Sequence, residues 1–181
     1  MANALFCRKE SKYFNNVENL LNILPSYLEN IEERNITMEK KIDGKLLTLS
    51  KIKNEINISG FDEAIKLKHI KDEVGYLSDS DFIVNGTLCE ESIFLSDILK
   101  FGNENLENQE WKVRRNFLHS LFFTSHIKEN FSMVFKDVRL SSTKENIAKG
   151  IETFKLLKYY NGCIIRPLNS KYEDVLIEIK C

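Results

Sequence analysis

Met38-Glu39-Lys40-Lys41-Ile42-Asp43-Gly44-Lys45-Leu46-Leu47 lies between an amphipathic segment and a β-like run. Lys41 stands near the end of a candidate strand, just ahead of an Asp-Gly turn signal. A lysine held there is a candidate covalent nucleophile. On its own, the same pattern more often describes a solvated lysine beside a turn. What surrounds the stretch therefore decides its meaning.

Upstream, Val17, Leu20, Leu21 and Leu24 follow the i, i+3, i+4, i+7 rule of an amphipathic helix. Pro25 interrupts that helix, and Leu28 and Ile31 continue the stripe. The spacing predicts an N-terminal helical segment within 1–36, packed on the remainder or docking a partner.

Downstream, the pattern over 37–58 is β. Leu46-Leu47-Thr48-Leu49 and Ile52, Ile56 and Ile58 bracket Lys53-Asn54-Glu55, which predicts a hairpin. A short helix is expected over 61–74. Strands are expected at 82–84 and 92–95, and a polar loop at 103–108. Helices are expected over 111–123 and 144–159, the second carrying Ile147, Ile151, Phe154 and Leu157. Strands are also expected over 131–140, 162–167 and 174–180. This order predicts an α+β fold with a largely antiparallel sheet and flanking helices, forming one domain over 37–181.

The chain has 181 residues, enough for a domain with a real core. Its formal charge is -1, with 26 basic against 27 acidic residues, so no global field attracts nucleic acid or an acidic membrane. Cys7, Cys89, Cys163 and Cys181 form no CxxC pair and are not spaced with His69, His119 or His126 as zinc ligands. Scattered cysteines without a signal peptide suggest reduced thiols in an intracellular compartment, cytoplasmic or nuclear. No apolar run approaches the roughly 20 residues needed to cross a bilayer.

Six segments, in order, resemble motifs of one family: the nucleotidyltransferase domain of ATP-dependent DNA ligases, with mRNA capping guanylyltransferases as relatives. Lys41-Ile42-Asp43-Gly44 resembles KxDG. Ile83-Val84-Asn85-Gly86-Thr87-Leu88-Cys89 resembles the DGEL strand-turn, and Phe94-Leu95-Ser96-Asp97-Ile98-Leu99 resembles FxFDIL. Gly102-Asn103-Glu104-Asn105-Leu106, followed by Arg114-Arg115, is similar to NGEDL…ERRxLL. The stretch from Tyr160 to Tyr172 is similar to EGVVxRxxxSxY, and Leu176-Ile177-Glu178-Ile179-Lys180 to WLKIK. The resemblance spans roughly residues 37–180. It implies an ATP-grasp-like core in which Lys41 attacks the α-phosphate of ATP to form lysyl-AMP. Asp43, Gly44, Asp97, Arg166 and Lys180 are then the candidate nucleotide contacts. The family's DGEL and EGVV carboxylates hold ribose and a divalent metal. The aromatic of FDIL stacks on the base, and the closing lysines contact phosphates.

Several of those roles lack their residue here. Asn85 and Thr87 replace the acids of DGEL, and Asn161 replaces the glutamate of EGVV. Glu90 and Glu91 sit at least three residues off the spacing that would restore one. Ser96 stands where the stacking aromatic is usual, and Leu46 where an arginine commonly follows KxDG. Asn57-Ile58-Ser59-Gly60 resembles SRNG without its arginine. Glu178 replaces the first lysine of LKIK, and at an effective dielectric near about 20 a charge reversed at about 4–6 Å is worth several kcal/mol. No metal ligand set is assigned, and Mg2+ binding is expected to be weak or absent. The family also carries an OB-fold after LKIK, and none is expected within this sequence.

Three functions follow. The first is a degenerate ligase-like pseudoenzyme that binds nucleotide, DNA or RNA ends, or a protein partner supplying the OB-fold, in a DNA-repair setting. The second is an active, divergent polynucleotide ligase or ligase subunit. The third is a non-enzymatic interaction protein. Arg114, Arg115, Arg139 and Arg166 are candidates to line a DNA-facing groove, and Asp97 is a candidate for supporting the fold through hydrogen bonds.

Overall fold

The computed structural model describes residues 12–14, 36–60, 68–90, 92–124, 131–133, 138–140, 144–156, 160–172 and 177–179. Most of the expected N-terminal helical segment lies outside them, and within it residues 12–14 are a strand. The chain divides into two compact units, residues 1–41 with 136–181 and residues 42–135.

The first unit is built on a five-stranded sheet. Its strands are β1 (Lys12–Phe14), β2 (Ile36–Ile42), β9 (Val138–Leu140), β10 (Tyr160–Pro167) and β11 (Ile177–Ile179), in the order β1-β11-β10-β2-β9. The β10–β11 and β2–β9 pairs are antiparallel, and β1 runs parallel to β11. Helix α3 (Lys144–Lys155) buries Ile147, Ile151 and Phe154 of the expected stripe, whose Leu157 lies outside the described residues, and packs on β9 and β10.

The second unit holds β3 (Lys45–Ile52), β4 (Glu55–Ser59), β5 (Phe82–Cys89), β6 (Ser92–Phe101), β7 (Glu104–Asn105) and β8 (Phe131–Met133). Their order is β4-β3-β5-β6-β7, antiparallel throughout, and β8 adds parallel to β6. The expected hairpin is β3–β4, and Lys53 and Asn54 both take positive φ, which suits the twist of a two-residue loop. Period-two alternation puts Leu47, Leu49, Phe82, Val84, Ile93 and Leu95 on one face. Helices α1 (Lys68–Tyr76) and α2 (Trp111–Thr124) cover that core with Ile70, Val74, Leu118, Leu121 and Phe122. Among the described residues, no helix is long and apolar enough to cross a membrane.

The expected single strand over 131–140 is two short strands, β8 and β9, in different sheets. The apolar run was legible, but pairing partners are set by long-range contacts that periodicity does not carry.

Lys51 occupies a core-side position of β3 and is 8% exposed. Its stem lies with the core while its ammonium reaches the end of α1, donating to the carbonyls of Gly75 (3.0 Å) and Ser78 (2.7 Å). A cation there answers both the orphan carbonyls and the negative end of the helix. Lys51→Met, which keeps the stem, is expected to cost about 1–2 kcal/mol in denaturant unfolding. A loss within error would remove the cap from the account.

Candidate functional site

Strand β2 carries the lysine. Alternation puts Thr37, Glu39 and Lys41 on one face and Ile36, Met38 and Lys40 on the other. β2 is an inner strand, so Thr37 and Glu39 are buried, while Lys41, nearer the end, is half-buried. Arg166 on β10 is 2% exposed and pairs with Glu39, NH2 to Oε2 at 2.8 Å. The other carboxylate oxygen, Glu39 Oε1, and the Thr37 hydroxyl are buried with no hydrogen-bond partner among the described residues. Buried polar atoms without partners are uncommon and call for a reason. Here two of them share the face that carries Lys41. Glu39 and Thr37 escaped the reading by motif, although counting back in twos from Lys41 finds both.

The chain leaves β2 through Asp43 and Gly44, both exposed. Gly44 owes its identity to crowding. A Cβ there would strike the carbonyl oxygen of Leu88 and lie 2.9 Å from Leu88 C and from Thr87 Cγ2. Its φ is not among the positive ones. The KxDG-like turn is therefore seated directly on the DGEL-like end of β5.

Across the second unit's sheet, the face opposite the core carries Thr48, Asn85 and Thr87. Thr48 pairs with Asn85 in the ladder, and its Oγ1 donates to Asn85 Oδ1 at 2.9 Å. The Ser96 hydroxyl donates to the Asn85 carbonyl at 3.3 Å, from a bulge of β6. Thr87 is 6% exposed. The three positions expected to lack metal and stacking groups are thus ordered by contacts within the protein. Glu90 lies at the β5–β6 turn with φ 55 and is exposed, at the tip of the hairpin.

Asp97 is braced from α2. Arg114 Nε donates to Oδ1 at 2.9 Å and NH2 to Oδ2 at 3.1 Å, and the Ile98 amide also donates to Oδ1. Arg114 NH1 donates to the carbonyl of Gln109 at 2.6 Å. Arg114 is fully buried and Arg115, over the Trp111 ring, is 4% exposed. Neither lines an open groove, which corrects that expectation for both: on a helix packed against the sheet, these guanidiniums serve the interior. Arg166 is likewise committed inside its own sheet. Lys180 and the side chains of Arg139, Asn161 and Glu178 lie outside the described residues.

The donor set does not fit a hard divalent cation. Amide and hydroxyl stand at the DGEL positions, and among the described residues no three His, Cys, Asp or Glu side chains gather to hold a metal.

No protein-family model matches the sequence, and no curated protein matches it either. Solved structures do match. The chain is similar to the ligase domain of LigD from M. tuberculosis, at 14% identity over 80% of this chain and 53% of that one, with a TM-score of 0.62. The fold is that of a ligase nucleotidyltransferase domain. A Lig E DNA ligase shares this ligase nucleotidyltransferase fold at 12% identity over 96% and 68% of the two chains, TM-score 0.61. The RNA ligase of Naegleria gruberi, in a structure with AMP and Mn, shares it at 14% identity over 98% and 56%, TM-score 0.56. The chain spans about half of the LigD ligase domain.

Proposed function

We propose that this chain is a ligase-like nucleotidyltransferase domain in degenerate form, binding ATP or an adenylated nucleic-acid end without efficient ligation. The observation that carries the reading is the pair of unpartnered buried polar atoms, Glu39 Oε1 and Thr37 Oγ1, on the face of β2 that presents Lys41. Left unmet, each costs about 1–3 kcal/mol, a cost that a ligand with hydrogen-bonding groups would recover. The neutral Asn85 and Thr87 support the other half of the proposal, since phosphoryl transfer depends on charge neutralisation at the phosphates.

DNA or RNA ends, and a protein partner supplying an OB-fold, belong to the same reading, as does an intracellular role in repair. The retained Lys41 favours a second reading, an active divergent ligase. The two are separated by incubating the protein with α-phosphate-labelled ATP and Mg2+ or Mn2+, with Lys41→Ala as control, and then supplying a nicked duplex. ATP binding with little covalent label and no sealing is expected. Lys41-dependent label that moves onto the nick would overturn the degenerate reading.

A further inference from the structure

We infer that this domain takes its nucleotide without a divalent cation, relying on the Lys41 side chain in place of a metal. The inference rests on the nucleotide reading above and concerns how that ligand is held.

A hard cation needs several oxygen ligands, with carboxylates contributing most of the affinity. In the second unit, Asn85 supplies a neutral amide whose Oδ1 already accepts from Thr48. Thr87 is buried beneath the Gly44 turn with its methyl toward it, and it offers a hydroxyl in place of a carboxylate. Both oxygens of Asp97 are held by Arg114. In the first unit, Glu39 gives one oxygen to Arg166. Each of these buried carboxylates thus has a permanent guanidinium beside it. A second positive ion would have to compete with a charge already in place. Asp43, exposed in the turn, is a single carboxylate and falls short of a ligand set. Meanwhile Lys41, half-buried on β2, places an ammonium on the strand that carries the unpartnered Glu39 and Thr37 atoms. An ammonium group can oppose phosphate charge without a metal.

The test is ATP binding to the intact chain by calorimetry, in excess EDTA and in excess Mg2+. The electron paramagnetic resonance signal of free Mn2+ is followed in parallel as protein is added without nucleotide. Affinities agreeing within about twofold between the buffers are expected, because no ligand bond to a cation is lost on chelation. The free Mn2+ signal should survive equimolar protein. Weakening by about tenfold or more in EDTA, or stoichiometric loss of the Mn2+ signal, would overturn the inference while leaving nucleotide binding intact. Absence of ATP binding in both buffers would overturn the proposed function and this inference together.

Discussion

Replacing Arg114 with alanine will lower the unfolding free energy by about 3–5 kcal/mol, because it strands the Asp97 carboxylate in the interior. The pair is shut away from solvent, with Arg114 fully buried and the Asp97 side chain 2% exposed. Both carboxylate oxygens take guanidinium protons, and Arg114 NH1 donates to the carbonyl of Gln109, so the pair is held on both sides in a site closed to water. For a chain of this size the loss corresponds to a drop in Tm of about 10 °C. Removing both charges, as Arg114→Met with Asp97→Asn, should cost less than Arg114→Ala alone, since what destabilises is the orphaned charge more than the missing bond. A single-variant loss below about 1 kcal/mol, the level of a surface pair, would show that the brace does not hold the second unit's sheet to its helix.

Gly44→Ala is expected to cost about 2–3 kcal/mol, at the upper end of overpacking because the obstacle is backbone. Its Cβ would meet the Leu88 carbonyl, which the β5 ladder holds in place. Gly102→Ala is the instructive companion. That glycine has φ +57 and nothing within 4 Å of a built Cβ, so only the left-handed backbone is penalised, at about 1 kcal/mol. Chemical denaturation of both variants separates crowding from conformation. Equal losses would mean that the turn after Lys41 yields, and that its seat on β5 is not what fixes it.

Much of this architecture is legible in the sequence. The β3–β4 hairpin followed from apolar alternation around Lys53-Asn54, and α2 and α3 from stripes such as Ile147, Ile151 and Phe154. Such signals are local, and local periodicity survives in one sequence. The Asp-Gly turn was expected on conformational grounds, whereas Gly44 is required by its neighbour Leu88, a contact more than forty positions away. The sequence alone suggests a DNA-facing groove for Arg114 and Arg115, because arginine usually lies at the surface. The counter-signal was present: both lie on the helical stripe of Trp111 and Leu118, and Asp97 interrupts an apolar strand that could not bury a lone carboxylate. Lys51 hid in the same way, at a core-facing step of β3. In the candidate site, Lys41 was visible from its motif. Glu39 and Thr37 emerged only from burial, which a motif does not report.

The path of the chain has a consequence for synthesis. It departs the first unit after Lys41 and re-enters at Lys136, so the second unit is one uninterrupted stretch. A chain emerging from the ribosome N-terminus first therefore offers the second unit all its strands while β2 still lacks β9, β10 and β11. During that interval Glu39 has no Arg166 to pair with, and the strand bearing Lys41 has no neighbours in its own sheet. The lysine's own sheet is completed after the second unit, so any chemistry at Lys41 is withheld from the nascent chain until β10 and β11 arrive.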